Sequence, residues 1–474
     1  MAFDESVRGK GNASERAKLR IGVIGAGVSG LSAAWLLSNK HDVRLFEQEG
    51  RVGGHANTID VPNEPPSNAS SSAEARSPSS NPVLSVDAGF IVFNKPNYPN
   101  FTALMSHLGV EIDDTCMSFG VSLNGGTTEY SGQSLSALFA NPAAALSPSH
   151  WTMLRDILRF NAAAKKALSD GIDRTETVAS FVRRHRLSQS FVDHFLKPFA
   201  AAIWSAPSER VLDYAACAFL KFFSNHGLLQ VLNMPLWNTV HGGSRTYVNA
   251  IESALGNSVR ASRKIVSVER SGAGVEVIDA TGAREVFDHV VIASHADEAV
   301  ALIEAPTDDE RSLLGAFKYQ GNRAIMHSDP AAMPTRKVAW SSWNYLGSED
   351  GVAVSYWMNR LQDLGEGARD VFVSLNPTIP IKPELVHETF DYAHPMFDVG
   401  AEKAQRRLWS LQGTDRIWFC GSYFGQGFHE DGLQSGLAVA EALGGVRRPW
   451  NVENESGRIH LPEGHSRVSP AQVD

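Results

Sequence analysis

Cysteine is scarce: three residues in 474, at Cys116, Cys217 and Cys420. The count is odd and no CxxC spacing occurs. This argues against a disulfide framework and fits a reducing, hence cytoplasmic, setting. No His/Cys cluster has zinc spacing, so no metal site is expected. Neither a GxSxG elbow nor an HExxH motif is present, which leaves hydrolytic and zinc-protease chemistry without support. No run of about 18 apolar residues occurs, and the first 19 residues lack an apolar core. A transmembrane helix and a secretory signal are therefore not expected. An excess of positive charge is also missing. Lys and Arg number 43 against 52 Asp and Glu, a net charge of −9, which argues against a nucleic-acid partner. The one dense basic cluster, Arg183, Arg184, His185 and Arg186, reads as a solvated helix end.

What is present is a globular composition, 43% hydrophobic and 20% charged, long enough for two or three domains. Residues 1–17 read as a disordered leader. Lys18 to Gly25 reads as a buried strand, Val28 to Ser38 as a helix and Val43 to Glu47 as a second strand, a spacing that fits one βαβ unit. Residues 62–82 are Pro/Ser/Asn-rich, with too few apolar groups to offset ordering entropy, and read as a flexible insertion. Helical patterns dominate 97–255, with candidate helices at 98–108, 150–169, 189–204 and 211–223. Between 263 and 293 the period changes to that of a β-meander: Lys264–Glu269, Val275–Ile278 and Glu285–Ala293. Strand-like runs follow at Val352–Met358, Val371–Leu375 and Arg416–Cys420. A helix is expected from about Gly432 to Leu443, then a loose polar tail.

Gly25-Ala26-Gly27-Val28-Ser29-Gly30 matches GxGxxG between the first strand and the first helix. Gly25 permits the tight turn, Gly27 lets backbone approach a pyrophosphate, and Gly30 lets helix and strand pack closely. Val28 and Ser29 open the helix, whose free N–H groups and positive dipole end suit phosphate. Glu47, with Gln48 beside it, ends the second strand at the spacing expected for a ribose-binding acid. Arg51-Val52-Gly53-Gly54-His55 then follows. This E-x3-R-x-G-G arrangement is similar to the extended FAD fingerprint of glutathione-reductase-like proteins. Only one complete GxGxxG occurs, so FAD is the expected cofactor and a separate NAD(P)H domain is not.

The chain resembles the flavin amine oxidase / phytoene desaturase superfamily, in particular the FAD-binding proteins labelled "amine oxidase, flavin-containing". The resemblance runs from about Leu19 to Leu443. It rests further on Val86-Asp87-Ala88-Gly89-Phe90-Ile91-Val92-Phe93-Asn94, Asn225-His226-Gly227-Leu228-Leu229, Val240-His241-Gly242-Gly243-Ser244-Arg245, Tyr392-Ala393-His394-Pro395 and Gly427-Phe428-His429-Glu430-Asp431-Gly432. It implies an α/β fold: a discontinuous Rossmann-like FAD-binding domain (18–95, 238–300 and 410–445) with an inserted α+β substrate domain (96–237 and 301–409) and a polar tail (446–474). It also implies an adenine contact from the backbone of Val266. Gly89 and Phe90 would lie along the isoalloxazine. Backbone from Asp431, Gly432 and Leu433 would face the flavin's pyrimidine edge. Superfamily members commonly carry an acid after the glycine that ends the last strand. Here Gly421 is followed by Ser422, so Ser422 or Asp431 would take the ribityl contact.

The implied activity is hydride transfer from a substrate carbon to flavin N5, with Phe428, His429 and Glu430 as candidate catalytic residues. The apolar 219–237 segment favours C–C desaturation of a lipophilic substrate, an acyl lipid or a polyene. Amine oxidation, a flavin-dependent double-bond isomerisation and a non-catalytic FAD-binding role are the alternatives. The electron acceptor is unidentified, O2 being one candidate, and peripheral membrane contact is compatible with a lipid substrate. Trp340, Trp343, Tyr345, Tyr356 and Trp357 are weighed as pocket lining against core, and Lys318 as a water-holding lysine. Cys420 reads as a buried thiol rather than a flavin attachment point.

Overall fold

The computed structural model describes residues 18–63, 82–173, 175–204, 208–225, 227–230, 236–348 and 351–462. The leader and nearly all of the 62–82 insertion lie outside these residues, as do His226 and residues 231–235 of the apolar segment.

From Ile21 to Ile24 every residue is buried, as a strand covered on both faces requires. The strand Arg20–Ile24 pairs in parallel with Asp42–Phe46 on one side and His289–Ile292 on the other. Ile417–Phe419 and Val259–Arg260 extend the two edges, giving a five-stranded parallel sheet. Its strands come from well-separated stretches of chain, so the domain is discontinuous. The helix Val28–Ser38 leaves the first strand and packs against the C-terminal helix His429–Gly444. That close packing needs missing side chains. A Cβ on Gly432 would stand 2.8 Å from Ser29 Oγ and Val28 Cγ1, and one on Gly436 would overlap the Ser29 carbonyl.

The meander is present as Ile265–Ser271, Gly274–Asp279 and Arg284–Phe287. The expected strand Glu285–Ala293 is in fact two. Asp288 divides it: its N–H donates to the Arg20 carbonyl and its carboxylate accepts from the Arg20 N–H at 2.8 Å. The chain thereby leaves the meander and enters the parallel sheet.

A seven-stranded sheet runs in the order Val386–Met396, Lys318–His327, Phe372–Leu375, Gly351–Trp357, Trp343–Ser348, Phe119–Leu123 and Thr128–Ser131. The last two come from the stretch read as mostly helical. Phe119–Leu123 is fixed by a long-range parallel pairing with Trp343–Ser348, which no local pattern encodes, and Thr128–Ser131 folds back on it as an antiparallel hairpin. That stretch also holds the antiparallel pair Ile112–Thr115 and Trp237–Val240, and its helices are chiefly Pro148–Asp170 and Ala216–Asn225. The expected helix 189–204 is interrupted by a π-helical turn over Val192–Leu196.

The tail corrects its expectation. Through residue 462 it is packed, not loose. Trp450 stacks on Trp35, Ile459 is buried, and Arg448 and Arg458 reach into the protein.

Candidate active site

The carboxyl ends of the parallel strands share one edge, where ligands of open α/β sheets bind. The glycine turn lies on it. Gly25 has φ +98°, and a Cβ there would press on the Ala293 carbonyl at 3.0 Å. A Cβ on Gly30 would overlap the Gly25 carbonyl, so this position keeps helix against strand. A Cβ on Gly27 would meet nothing within 4 Å. Gly27 is also the helix N-cap and offers no side chain to the first N–H groups. Space and unpaired donors therefore coincide at the place a phosphate requires.

The second glycine pair closes on the first. A Cβ on Gly54 would lie 3.1 Å from Gly27 Cα, and Arg51 donates to the Gly54 carbonyl at 3.0 Å. Gly53 N–H bonds the Ala26 carbonyl at 2.8 Å. Glu47 accepts from Ala26 N–H at 2.8 Å and from Glu49 N–H at 3.0 Å, which sets its carboxylate beside the turn, while Gln48 is exposed. Gly89 and Phe90 lie against the same loop: Phe90 N–H donates to the His55 carbonyl at 2.7 Å. His55 is enclosed, and its Nε2 is buried without a hydrogen-bond partner. Burial, then His394 and His295, hold its imidazole well below the ordinary range. The open Gly27 face, the uncapped helix start and this orphaned nitrogen are features that a bound FAD would occupy and satisfy. Val266 sits at a bulge of its strand, between the Ile265–Asp279 and Ser267–Ile278 pairs, and is exposed.

The C-terminal helix begins at His429, three residues earlier than its sequence suggested, with Phe428 as N-cap. Gly432 therefore lies in the first turn, beside Val28 and Ser29. Two helix N-termini converge here. Leu433 is buried. Asp431 is fully buried and accepts from Phe428 N–H at 2.8 Å, capping the helix. It also accepts from Arg458 Nε at 2.6 Å and Nη2 at 3.1 Å. Burial raises its carboxyl above the usual range and Arg458 pulls it back. Glu430 is likewise buried and raised by burial. It accepts from Asn100 N–H, the Asn100 amide, Phe101 N–H and Gln434. His429 stacks on Phe90 at 3.8 Å and its Nε2 is hydrogen-bonded to Tyr247 Oη at 2.7 Å. Burial holds its imidazole down at about 3, so it is neutral. Phe428 stacks on Phe222 at 4.9 Å. Gly421 exchanges hydrogen bonds with Ser435 Oγ, and the Ser422 carbonyl accepts from Gly425 and Gly427.

Four features escaped the sequence reading. Tyr247, Arg458, Tyr392 and His394 all belong to the site. Tyr392 stacks on His55 at 4.8 Å, with His394 at 5.3 Å. Tyr392 and His394 stand in a segment that carried the resemblance, and Tyr247 lies just beyond another. Arg458 lies in the polar tail, where nothing local marks it. Lys318 is exposed and donates to the Gly315 carbonyl. Cys420 is fully buried, which pushes its thiol up and leaves it protonated. Tyr345 and Tyr356 are core residues, with Trp343 edge-on to Tyr356. Among the described residues no group of His, Cys, Asp and Glu is arranged to hold a metal ion, and no helix is long and apolar enough to cross a membrane.

A parallel sheet, a glycine cradle at its carboxyl edge and two converging helix N-termini define a Rossmann-like flavoprotein. The chain matches the flavin-containing amine oxidoreductase model over residues 28–327 and belongs to that family. It is an FAD-dependent oxidoreductase. Its fold is shared with a fatty acid isomerase from P. acnes that produces CLA (14% identity, TM-score 0.60, 90% of this chain and 98% of that one). It is shared with putrescine oxidase bound to putrescine (15%, 0.60, 90% and 99%). A putative protoporphyrinogen oxidase from Exiguobacterium sp. 255-15 is also similar (12%, 0.62, 90% and 99%).

Proposed function

We propose that the protein removes a hydride from one carbon of a lipophilic substrate, an acyl lipid or a polyene, while the neighbouring carbon loses a proton to solvent, so that a new C=C bond is left. The observation that carries this reading is the wall beside Phe428. Phe222 stacks on it and belongs to a buried cluster with Phe160, Phe191, Phe219 and Phe223. A second point supports it. The carboxylates at the helix start, Glu430 and Asp431, are both consumed by internal donors, so neither is left to meet a substrate ammonium. When bound, FAD supplies the acceptor for the hydride.

The chain's own share is binding and placement. The starts of Val28–Ser38 and His429–Gly444 offer backbone N–H groups and positive dipole ends to anionic groups. Phe428 is the candidate for touching substrate. His429, neutral and held by Tyr247, acts by shape and hydrogen bonding. Glu430, held by four donors, anchors the helix start to the Pro99–Leu108 helix rather than carrying a proton.

The test is anaerobic flavin bleaching with acyl lipids, polyenes and amines, followed by mass spectrometry of the product. Bleaching by lipids with loss of two hydrogens is the expected result. Bleaching by amines alone would make the protein an amine oxidase, and a product of unchanged mass would make it an isomerase.

A further inference from the structure

The helix Pro148–Asp170 buries Met153, Asp156, Phe160 and Ala164 on one side. Its other side carries Trp151, Arg155, Leu158, Ala162 and Lys165, spaced i, i+4, i+7, i+11 and i+14, all exposed. These positions form one stripe along the helix. Two further leucines extend it. Leu146 lies two residues before the helix, and the indole of Trp151 donates to the Ala145 carbonyl at 2.9 Å, which fixes ring and leucine together. Leu135 opens a short helix that carries Phe139 at its end, 5.3 Å from Trp151. Leu135, Leu146, Trp151 and Leu158 are each more than half exposed. That helix touches the turn Lys337–Ala339, which adds exposed Lys337 and Val338.

The exposed charge contributed by the ridge's own segments is basic. No acidic residue occurs between Glu129 and Asp156. Both of these are themselves buried, Asp156 taking Arg155 and Arg159, and Glu129 taking Arg336. The next acid on the exposed side, Asp170, is paired with Lys166 at the far end of the helix. Exposed leucines and a tryptophan rimmed by Arg and Lys, with no exposed acid among them, match the chemistry of a bilayer interface.

We infer that this ridge docks the protein onto an anionic lipid surface. The inference is independent of the substrate proposed above. The test is sedimentation of the FAD-loaded full chain with sucrose-filled vesicles, either phosphatidylcholine alone or phosphatidylcholine with phosphatidylglycerol. Wild type is expected to sediment with the anionic vesicles and to be released by salt. Leu146→Asp with Trp151→Asp should lower vesicle binding at least about tenfold, and Lys165→Gln with Lys337→Gln by roughly fivefold per charge removed. All should retain flavin absorbance, since these side chains lie away from the glycine cradle. Three results would overturn the inference: no sedimentation with anionic vesicles, equal binding by the Leu146/Trp151 variant, or a concentration-dependent dimer that this variant abolishes.

Discussion

Arg458→Met is expected to loosen the flavin site from a distance. Asp431 is fully buried and carries three hydrogen bonds: one from Phe428 N–H, which caps the C-terminal helix, and two from Arg458. Arg458 also donates to the Asn97 carbonyl at 3.0 Å and lies over the Tyr98 ring. Removing the guanidinium leaves a carboxylate with no counter-charge in a site whose burial already raises its affinity for protons. Removal of one member of a buried ion pair costs about 3–5 kcal/mol. The protein can escape part of that cost only by protonating Asp431 or by opening the segment around it. Either response weakens the cap on Phe428 and disturbs the helix start that faces the cofactor cradle.

The measurements are thermal melting and FAD retention on gel filtration. At about 2 °C per kcal/mol for a large chain, the loss corresponds to a fall in Tm of about 6 °C or more. The control that isolates the charge is the double variant Arg458→Met/Asp431→Asn. It removes both charges, so it should recover much of the loss and be less destabilised than the sum of the single variants. A single variant that melts like wild type, or a double variant as damaged as the sum, would refute the argument that an unpaired charge is the cause.

Three further outcomes follow from the same geometry. Gly436→Val should force the two site helices roughly 1 Å apart, because its Cβ would overlap the Ser29 carbonyl; the purified variant should have lost flavin absorbance. Glu47→Ala removes the acceptor of Ala26 N–H beside the glycine turn, and equilibrium titration should show weaker FAD binding with FMN binding unchanged. Asp87 concerns pH. Burial raises its carboxyl to about 6, opposed by hydrogen bonds from Thr58 and Ser244. The native state therefore holds this proton more tightly than the unfolded chain, and the group's contribution to stability falls as pH rises from about 4 to about 6. That change amounts to about 3 kcal/mol. Asp87→Asn should lack it, so urea unfolding at pH 4 and pH 7 should show the gap between wild type and variant changing by about that amount.

What was legible in the sequence was what is local. The GxGxxG turn, its flanking strand and helix, Glu47 and the second glycine pair lie within one βαβ unit, where each residue's role is set by neighbours a few positions away. Segments joined by distant pairing were read less well. Phe119–Leu123 is a strand because Trp343–Ser348 lies beside it, and the run 285–293 is divided because Arg20 bonds Asp288. The same limit applied at the site. His429, Glu430 and Asp431 stood out as an ionisable cluster, and the sequence could not tell which of them was already spent. Their partners, Tyr247, Asn100 and Arg458, come from three other parts of the chain.

That distribution of partners bears on how the site is built. Helix N-termini attract anions, yet this one carries two carboxylates in its first turn. If both were free, they would cancel the positive end that a cofactor's anionic groups need. Neither is free. Asp431 is neutralised by Arg458 from the tail, and Glu430 is surrounded by N–H donors from the Pro99–Leu108 helix and from Gln434. The carboxylates face inward as anchors, and the crossing at Ser29, Gly432 and Gly436 brings the two helix starts side by side. The tail thus supports the helix start beside the glycine cradle although it supplies no residue to the cradle itself, and Arg458 offsets a carboxylate charge at that helix end.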